Sequence, residues 1–239
     1  MELGKIFGAP GSTIVWGDDR PLLNWVAYAL ASVTSSEFKW TDIQFPGQAL
    51  GPTDPLSRHL IPPDRLRVVR ASDMAPNNAA ANMPVSAVIR SDETPGNVER
   101  LLDFLRLPAS TQRLLETPPP GAQPRVAVLS NGQRIVALYP TPQAIAPTIR
   151  AIVEAGTIMI MTFADAGPEG RFQFDNVLNV EGSVTRGWQE ATLKVEKWSP
   201  SGPFRVGTAL RLGDLAPLAA VIARGLSYGT AVPAVSPAR

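Results

Sequence analysis

Residues 12–33, STIVWGDDRPLLNWVAYALASV, decide how the rest of the chain is read. Residues 12–16 form a short β-rich apolar run that ends at a glycine, the pattern of a buried strand. Leu22, Leu23, Val26, Leu30 and Val33 follow at helical spacing, and Pro21 is tolerated because a first-turn N–H has no intrahelical acceptor. Strand, glycine turn and helix in that order are the layout of a phosphate-binding loop. In a working loop, glycines let backbone N–H groups converge on the phosphates, and Lys and Ser/Thr serve the outer phosphates and Mg²⁺. Here the turn is Gly17-Asp18-Asp19-Arg20-Pro21, so two carboxylates stand where phosphate would sit, at the positive end of the helix. A carboxylate is favoured there for the same electrostatic reason as phosphate. The sequence therefore predicts that Asp18-Asp19 cap the helix. A metal-binding carboxylate pair is the alternative, but it needs more oxygen ligands than this turn supplies.

The chain has 239 residues, enough to bury a sizeable core in one α/β domain with elaborations or in two small ones. Net charge is +1 and charged residues are 18%, so there is no global electrostatic case for nucleic acid or an anionic membrane. Arg65, Arg67 and Arg70 alternate along an expected strand and are read as facing solvent. Cysteine is absent, which removes disulfides, thiolate chemistry and Cys-based zinc sites, and fits a cytoplasmic protein. The opening MELGKIFGAPG lacks a basic region followed by an apolar stretch, so no secretory signal is expected. The most apolar run, TIMIMTFA at 157–164, falls far short of the ~20 residues of a membrane helix. The expectation is a soluble protein with no membrane partner.

Proline occurs 24 times, about twice the usual share. It clusters between elements, at Pro46, Pro52, Pro55, Pro62 and Pro63 and again at 118–120 and Pro124, marking rigid extended connections. Residues 38–45 and 66–69 read as further strands, and Val98, Leu101, Leu102 and Leu105 as one face of a helix closed by Pro108. RVAVL at 125–129 is a short apolar strand. Ile145, Ile149, Ile152 and Val153 mark a helix stopped by Gly156. Residues 157–163 give the strongest strand, and their continuous hydrophobicity indicates burial on both faces of a parallel sheet. Residues 176–180, 191–197 and 204–207 read as antiparallel strands at a sheet edge. The fold class is thus α/β, a mostly parallel sheet flanked by helices with antiparallel strands added at the C-terminal edge. Residues 1–225 are expected to form a single domain and 226–239 a mobile tail, since GTAVPAVSPAR has little to bury.

This order, with GAPGSTIVWGDD near the start and LKVEKWSPSGPFRV near the end, resembles the RecA/KaiC branch of P-loop ATPases across roughly residues 8–215. By that resemblance Gly17 corresponds to the first phosphate-loop glycine. The Lys and Ser/Thr positions fall within 20–25 and are not kept, leaving Gly17, Asp18, Asp19 and Arg20 as a degenerate phosphate-loop position. The Walker-B-like strand is RVAVLSN, with Ser130 where the family has its magnesium-orienting Asp, and Asp42 or Gln44 falls where the water-activating Glu would be. Lys197 resembles the lysine of the family's closing segment, which reaches a neighbouring subunit's nucleotide, and Ser199 replaces its arginine. Asn131-Gly132 supports a competing reading, a type I′ hairpin turn joining RVAVLS to QRIVALY, which would dissolve the Walker-B alignment.

Other residues are read both ways. His59 lies in a proline-rich loop without a catalytic constellation and is read as a surface residue. Trp188 and Trp198 are packing residues or subunit contacts. Asp165, Glu169 and Asp175 surround the strongest strand's end, where ligands bind in open α/β sheets, although acids are common in solvated loops. The resemblance with its concerted losses implies a non-catalytic RecA-like interaction or regulatory subunit of a recombination, repair or signalling system. It would need no cofactor and would pair with itself or another RecA-like protein through Lys194, Lys197 and Trp198. The rivals are a nucleotide-binding ATPase with a rebuilt loop, Arg20 replacing the phosphate lysine, and a nucleic-acid-binding module.

Overall fold

Continuous apolar runs need cover on both faces, and the centre of the sheet provides it. A computed structural model describes residues 11–34, 38–43, 68–70, 87–91, 125–130, 132–136, 139–154, 156–164, 173–198 and 205–230. Strand β1 (Gly11–Gly17) lies between β6 (Thr157–Ala164) and β7 (Asn176–Glu181), parallel to both. Beyond β6 follow β5 (Arg125–Leu129), β2 (Phe38–Ile43), β4 (Ala87–Ser91) and β3 (Val68–Arg70), all parallel. Beyond β7 follow β8 (Thr192–Lys197) and β9 (Ala209–Arg211), each antiparallel to the strand before it. Among the described residues the sheet has nine strands, in the order β3-β4-β2-β5-β6-β1-β7-β8-β9. This is the α/β class the sequence predicts, with antiparallel strands at the C-terminal edge.

Alternation along each strand splits the core in two. On one face, Val15, Val128, Ile158, Ile160, Leu178 and Leu193 meet α1 (Arg20–Thr34) and the cluster that includes Leu218 and Ile222 of α4 (Ala216–Thr230). On the other, Ile14, Leu129, Met159, Met161 and Phe163 meet Ile135 of α2 (Gly132–Val136) and Ile149 and Ile152 of α3 (Ala146–Glu154). Helix α1 is apolar almost all the way round, with every residue from Leu22 to Ala27 buried. That is the composition of a helix covered on more than its sheet side, and α4 packs against it.

Several expectations are corrected. The hairpin at Asn131-Gly132 does not form: β5 pairs in parallel with β2 and β6, and Gly132 opens helix α2. Glycine is favoured there by packing, since a Cβ would fall 2.4 Å from Phe163 Cε2 and 2.6 Å from Met161 Cγ and those side chains would have to shift. The last edge strand lies at Ala209–Arg211 rather than 204–207. Residues 205–207 turn instead, with Gly207 at φ +83° and its N–H donating to the Val195 carbonyl at 2.8 Å. Helix α4 continues to Thr230, so the boundary expected at 225/226 falls inside it. The helix expected at 98–105, Arg65, Arg67 and His59 lie outside the described residues.

Ile160 is fully buried in β6, in register with Thr13 of β1 on one side and Val128 of β5 on the other. Replacing it with Asp buries an unpaired charge at the centre of the sheet. The expected cost is several kcal/mol, comparable with the ~5–15 kcal/mol stability of an ordinary domain. Circular dichroism of Ile160→Asp should show an unfolded chain or a steeply lowered melting temperature. A soluble variant that melts like the wild type would show the strand order to be wrong.

Candidate functional site at the carboxyl end of β1

From β1 the chain departs toward β2 on one side, and from β6 it returns to β7 on the other. The carboxyl end of β1 therefore lies where the strand order reverses, the place at which open α/β sheets bind ligands. The turn there begins at Gly17, whose position is dictated by the neighbouring strand: a Cβ would fall 2.2 Å from the Val180 carbonyl oxygen of β7. No other residue fits without moving backbone.

Asp19 follows as the residue that caps α1. Its carbonyl accepts the first helical bond from Leu23 N–H at 3.0 Å, and its Oδ1 accepts from Leu22 N–H at 3.0 Å. This is the capping bond that an Asp side chain makes to the third helical position, worth about 1 kcal/mol. The other oxygen, Oδ2, accepts from Val184 N–H at 3.0 Å, from the short 3₁₀ turn Val184–Arg186 that follows β7. Both carboxylate oxygens are thus engaged by backbone N–H groups, as phosphate oxygens are in a working loop. Asp18 and Arg20 are exposed beside this arrangement. Of residues 20–25, where a loop lysine and hydroxyl would stand, 22–25 are buried, and Leu22 and Leu23 belong to the core.

Two buried polar groups beneath the turn were not singled out in the sequence. Asn24 of α1 accepts from Thr162 Oγ1 of β6 at 3.4 Å, tying the helix to the sheet. The signal was present as one amide inside LLNWV and one hydroxyl inside TIMIMTFA. Val184, the second partner of Asp19, acts through its backbone, so no side-chain pattern could announce it.

The remaining candidates are dispersed. Ser130 is buried at the carboxyl end of β5, in the strand that resembles Walker B. Asp42 lies in β2, opposite Arg90 of β4, and Gln44 is outside the described residues. The acidic group expected around the end of β6 is not assembled, because Asp175 belongs to the opposite, amino edge of the sheet. There its Oδ2 accepts from both Ser12 N–H and Ser12 Oγ at 2.8 Å, and its own N–H donates to Ser12 Oγ at 3.1 Å. Asp165 and Glu169 lie outside the described residues. Among the described residues no three His, Asp or Glu side chains are placed to hold a metal ion, and no helix is long and apolar enough to cross a membrane.

Lys194, Lys197 and Trp198 do not form one patch. Lys194 is exposed and pairs with Glu181 on the neighbouring strand. Lys197 donates from Nζ to the Phe174 carbonyl at 2.6 Å, bracing the approach to β7. Trp198 is only 8% exposed and belongs to the core cluster with Leu193, Val195 and Leu218, and Trp188 is buried in the same cluster. The aromatic surface expected at the centre of a contact is spent on packing, as half of the sequence reading allowed. Ser199 lies outside the described residues.

Trp198→Ala should accordingly destabilise the fold by about 3–5 kcal/mol through the cavity it leaves. Lys194→Ala, which removes an exposed ion pair, should cost under about 1 kcal/mol. Urea denaturation of the two variants measures both. A Trp198→Ala protein as stable as the wild type would return the residue to the surface. No protein-family model matches this chain and no curated protein matches its sequence, so its functional reading rests on the geometry of the β1 turn.

Proposed function

We propose that the chain is a RecA-like domain without ATPase chemistry, acting as an interaction or regulatory subunit. The observation that carries this reading is the Asp19 carboxylate. It occupies two backbone N–H groups, Leu22 and Val184, at the helix end where a nucleotide phosphate would be held. Phosphate brought to about 4 Å from that carboxylate meets a repulsion of about 4 kcal/mol per unit charge at the dielectric of a protein surface. In a working loop a lysine offsets such repulsion, and residues 20–25, among which its position falls, contain no lysine. Ser130, at the position that resembles the magnesium-orienting Asp, brings no carboxylate.

The strand-turn-helix opening, the parallel centre and the antiparallel C-terminal edge support the RecA-like part of the reading. The subunit role follows from what the chemistry lacks. The partner is a second copy or another RecA-like chain, in a recombination, repair or signalling system. Since Trp198 is core, contact would be made through the exposed polar side chains of the late strands, such as Lys194 and Arg211, rather than through an aromatic centre.

Calorimetric titration of the wild-type chain with Mg-ATP tests the proposal, and no heat of binding is expected at millimolar nucleotide. A micromolar dissociation constant that disappears in Arg20→Ala would overturn it in favour of an ATPase whose loop is rebuilt around Arg20.

A further inference from the structure

The Asp19 carboxylate holds more than the helix it caps. Through Oδ2 it reaches Val184 N–H, 165 residues along the chain, at the start of the segment that connects β7 to β8. That connector consists of two short 3₁₀ turns, Val184–Arg186 and Trp188–Glu190, closed by local bonds such as Gly187 N–H to the Val184 carbonyl and Ala191 N–H to the Trp188 carbonyl. Gly187 between them has φ +95° and only Gln189 Oε1 near its missing Cβ, so the joint is open on that side. Trp188 is its one buried residue.

The far end of the connector bears on the C-terminal elements. Leu212 N–H donates to the Ala191 carbonyl at 2.8 Å, Arg211 pairs with Glu190, and a Cβ on Gly213 would sit 3.0 Å from the Gln189 carbonyl. The turn Leu212–Asp214 leads directly into α4, and α4 packs on α1. Contacts thus close a ring: α1, Asp19, the connector, the 212–214 turn, α4 and back to α1.

We infer that Asp19 is a two-point latch: one oxygen caps α1, and the other holds the β7–β8 connector and, through it, the 212–214 turn. Releasing the second bond frees the connector and that turn while α1 keeps its cap. This is a conformational device of the fold, and it stands whether or not the domain is RecA-like. Its readout is local opening rather than nucleotide binding.

Asp19→Asn separates the two functions. Asparagine is as good a helix cap as aspartate, but it offers one acceptor oxygen and places an NH₂ group against the remaining N–H. Residue-resolved amide exchange should show Val184 and Leu212 exchanging about tenfold faster than in the wild type, the scale of a lost charge-assisted hydrogen bond. Leu22 and Leu23 should stay within about twofold. Asp18→Asn, at the exposed neighbour, should change nothing.

Val184→Pro removes the donor instead of the acceptor. Proline is tolerated at the first position of a helical turn, and Ser183 before it already has φ −149° and ψ 147°, the extended conformation a pre-proline residue adopts. It should accelerate Leu212 exchange as Asp19→Asn does, and the double variant should add nothing further. Wild-type exchange at Leu212 in Val184→Pro, or faster exchange at Leu22 in place of Val184 in Asp19→Asn, would overturn the latch. Val184→Pro decides the matter alone if Asp19→Asn does not fold.

Discussion

The way β1 ends governs the carboxyl edge of the sheet. Val180 of β7 brings its carbonyl so close that only a glycine fits at position 17, and the chain must turn there. The turn delivers the first backbone N–H groups of α1, which have no acceptor inside the helix, to one small region. Something negative or lone-pair-bearing has to meet them. Asp19 meets one of them, the Leu22 N–H, as part of the chain itself and without the loss of freedom that a bound ligand would entail. The start of α1 is thus tied down from within the chain, and the helix packs between the sheet and α4.

The β1–β7 pair carries an unusual share of polar cross-links for the middle of a parallel sheet. Asp175 clamps Ser12 at the amino edge, Asn176 donates to Thr13 Oγ1, Asn179 donates to the Trp16 carbonyl, and Asp19 holds the segment after β7 at the carboxyl edge. The reason lies in what covers each face. Toward β5 and β6 the second core buries Met159, Met161 and Phe163. Past β1 the same face carries Asn179, Glu181, Lys194 and Glu196, and these groups bond across strands: Lys194 to Glu181, Trp16 Nε1 to Glu196 Oε2 at 3.3 Å. The sheet changes from a doubly covered centre to a one-sided edge at β7, and the chain turns antiparallel one strand later.

Legibility in the sequence followed the same division. Strands buried on both faces announce themselves by uninterrupted Val, Ile and Met, so 125–129 and 157–164 were readable nearly to the residue. The capping role of the acidic turn was readable too, because a helix N-terminus has a known electrostatic preference. The short strand at 87–91 was not, since AVIRS holds only three consecutive apolar residues, too few to set it apart from the polar and proline-containing sequence around it. Helix α4 was masked by alanine and by Gly225 and Gly229, although Leu218, Ile222 and Leu226 keep a four-residue spacing. Gly132 left the hairpin open as a competing reading because glycine signals both a turn and a close approach, and the parallel pairing of β5 decides against it. The second partner of Asp19 is a backbone amide brought near by topology alone, and topology is what a residue pattern conveys least.

Strand β1 draws its two flanking strands from the other end of the chain, and its clamp to Asp175 joins residues 163 apart in sequence. Loops of that size must close before the contacts between them reward closure, which slows folding. During synthesis β1 is made well before β6 and β7, the two strands that flank it. Until β6 and β7 emerge, an apolar strand with two open edges must wait, in the condition in which nascent chains aggregate or bind chaperones. The polar clamps between β1 and β7 can close only after residues 175–179 have been made, so the sheet joins around β1 late in biosynthesis.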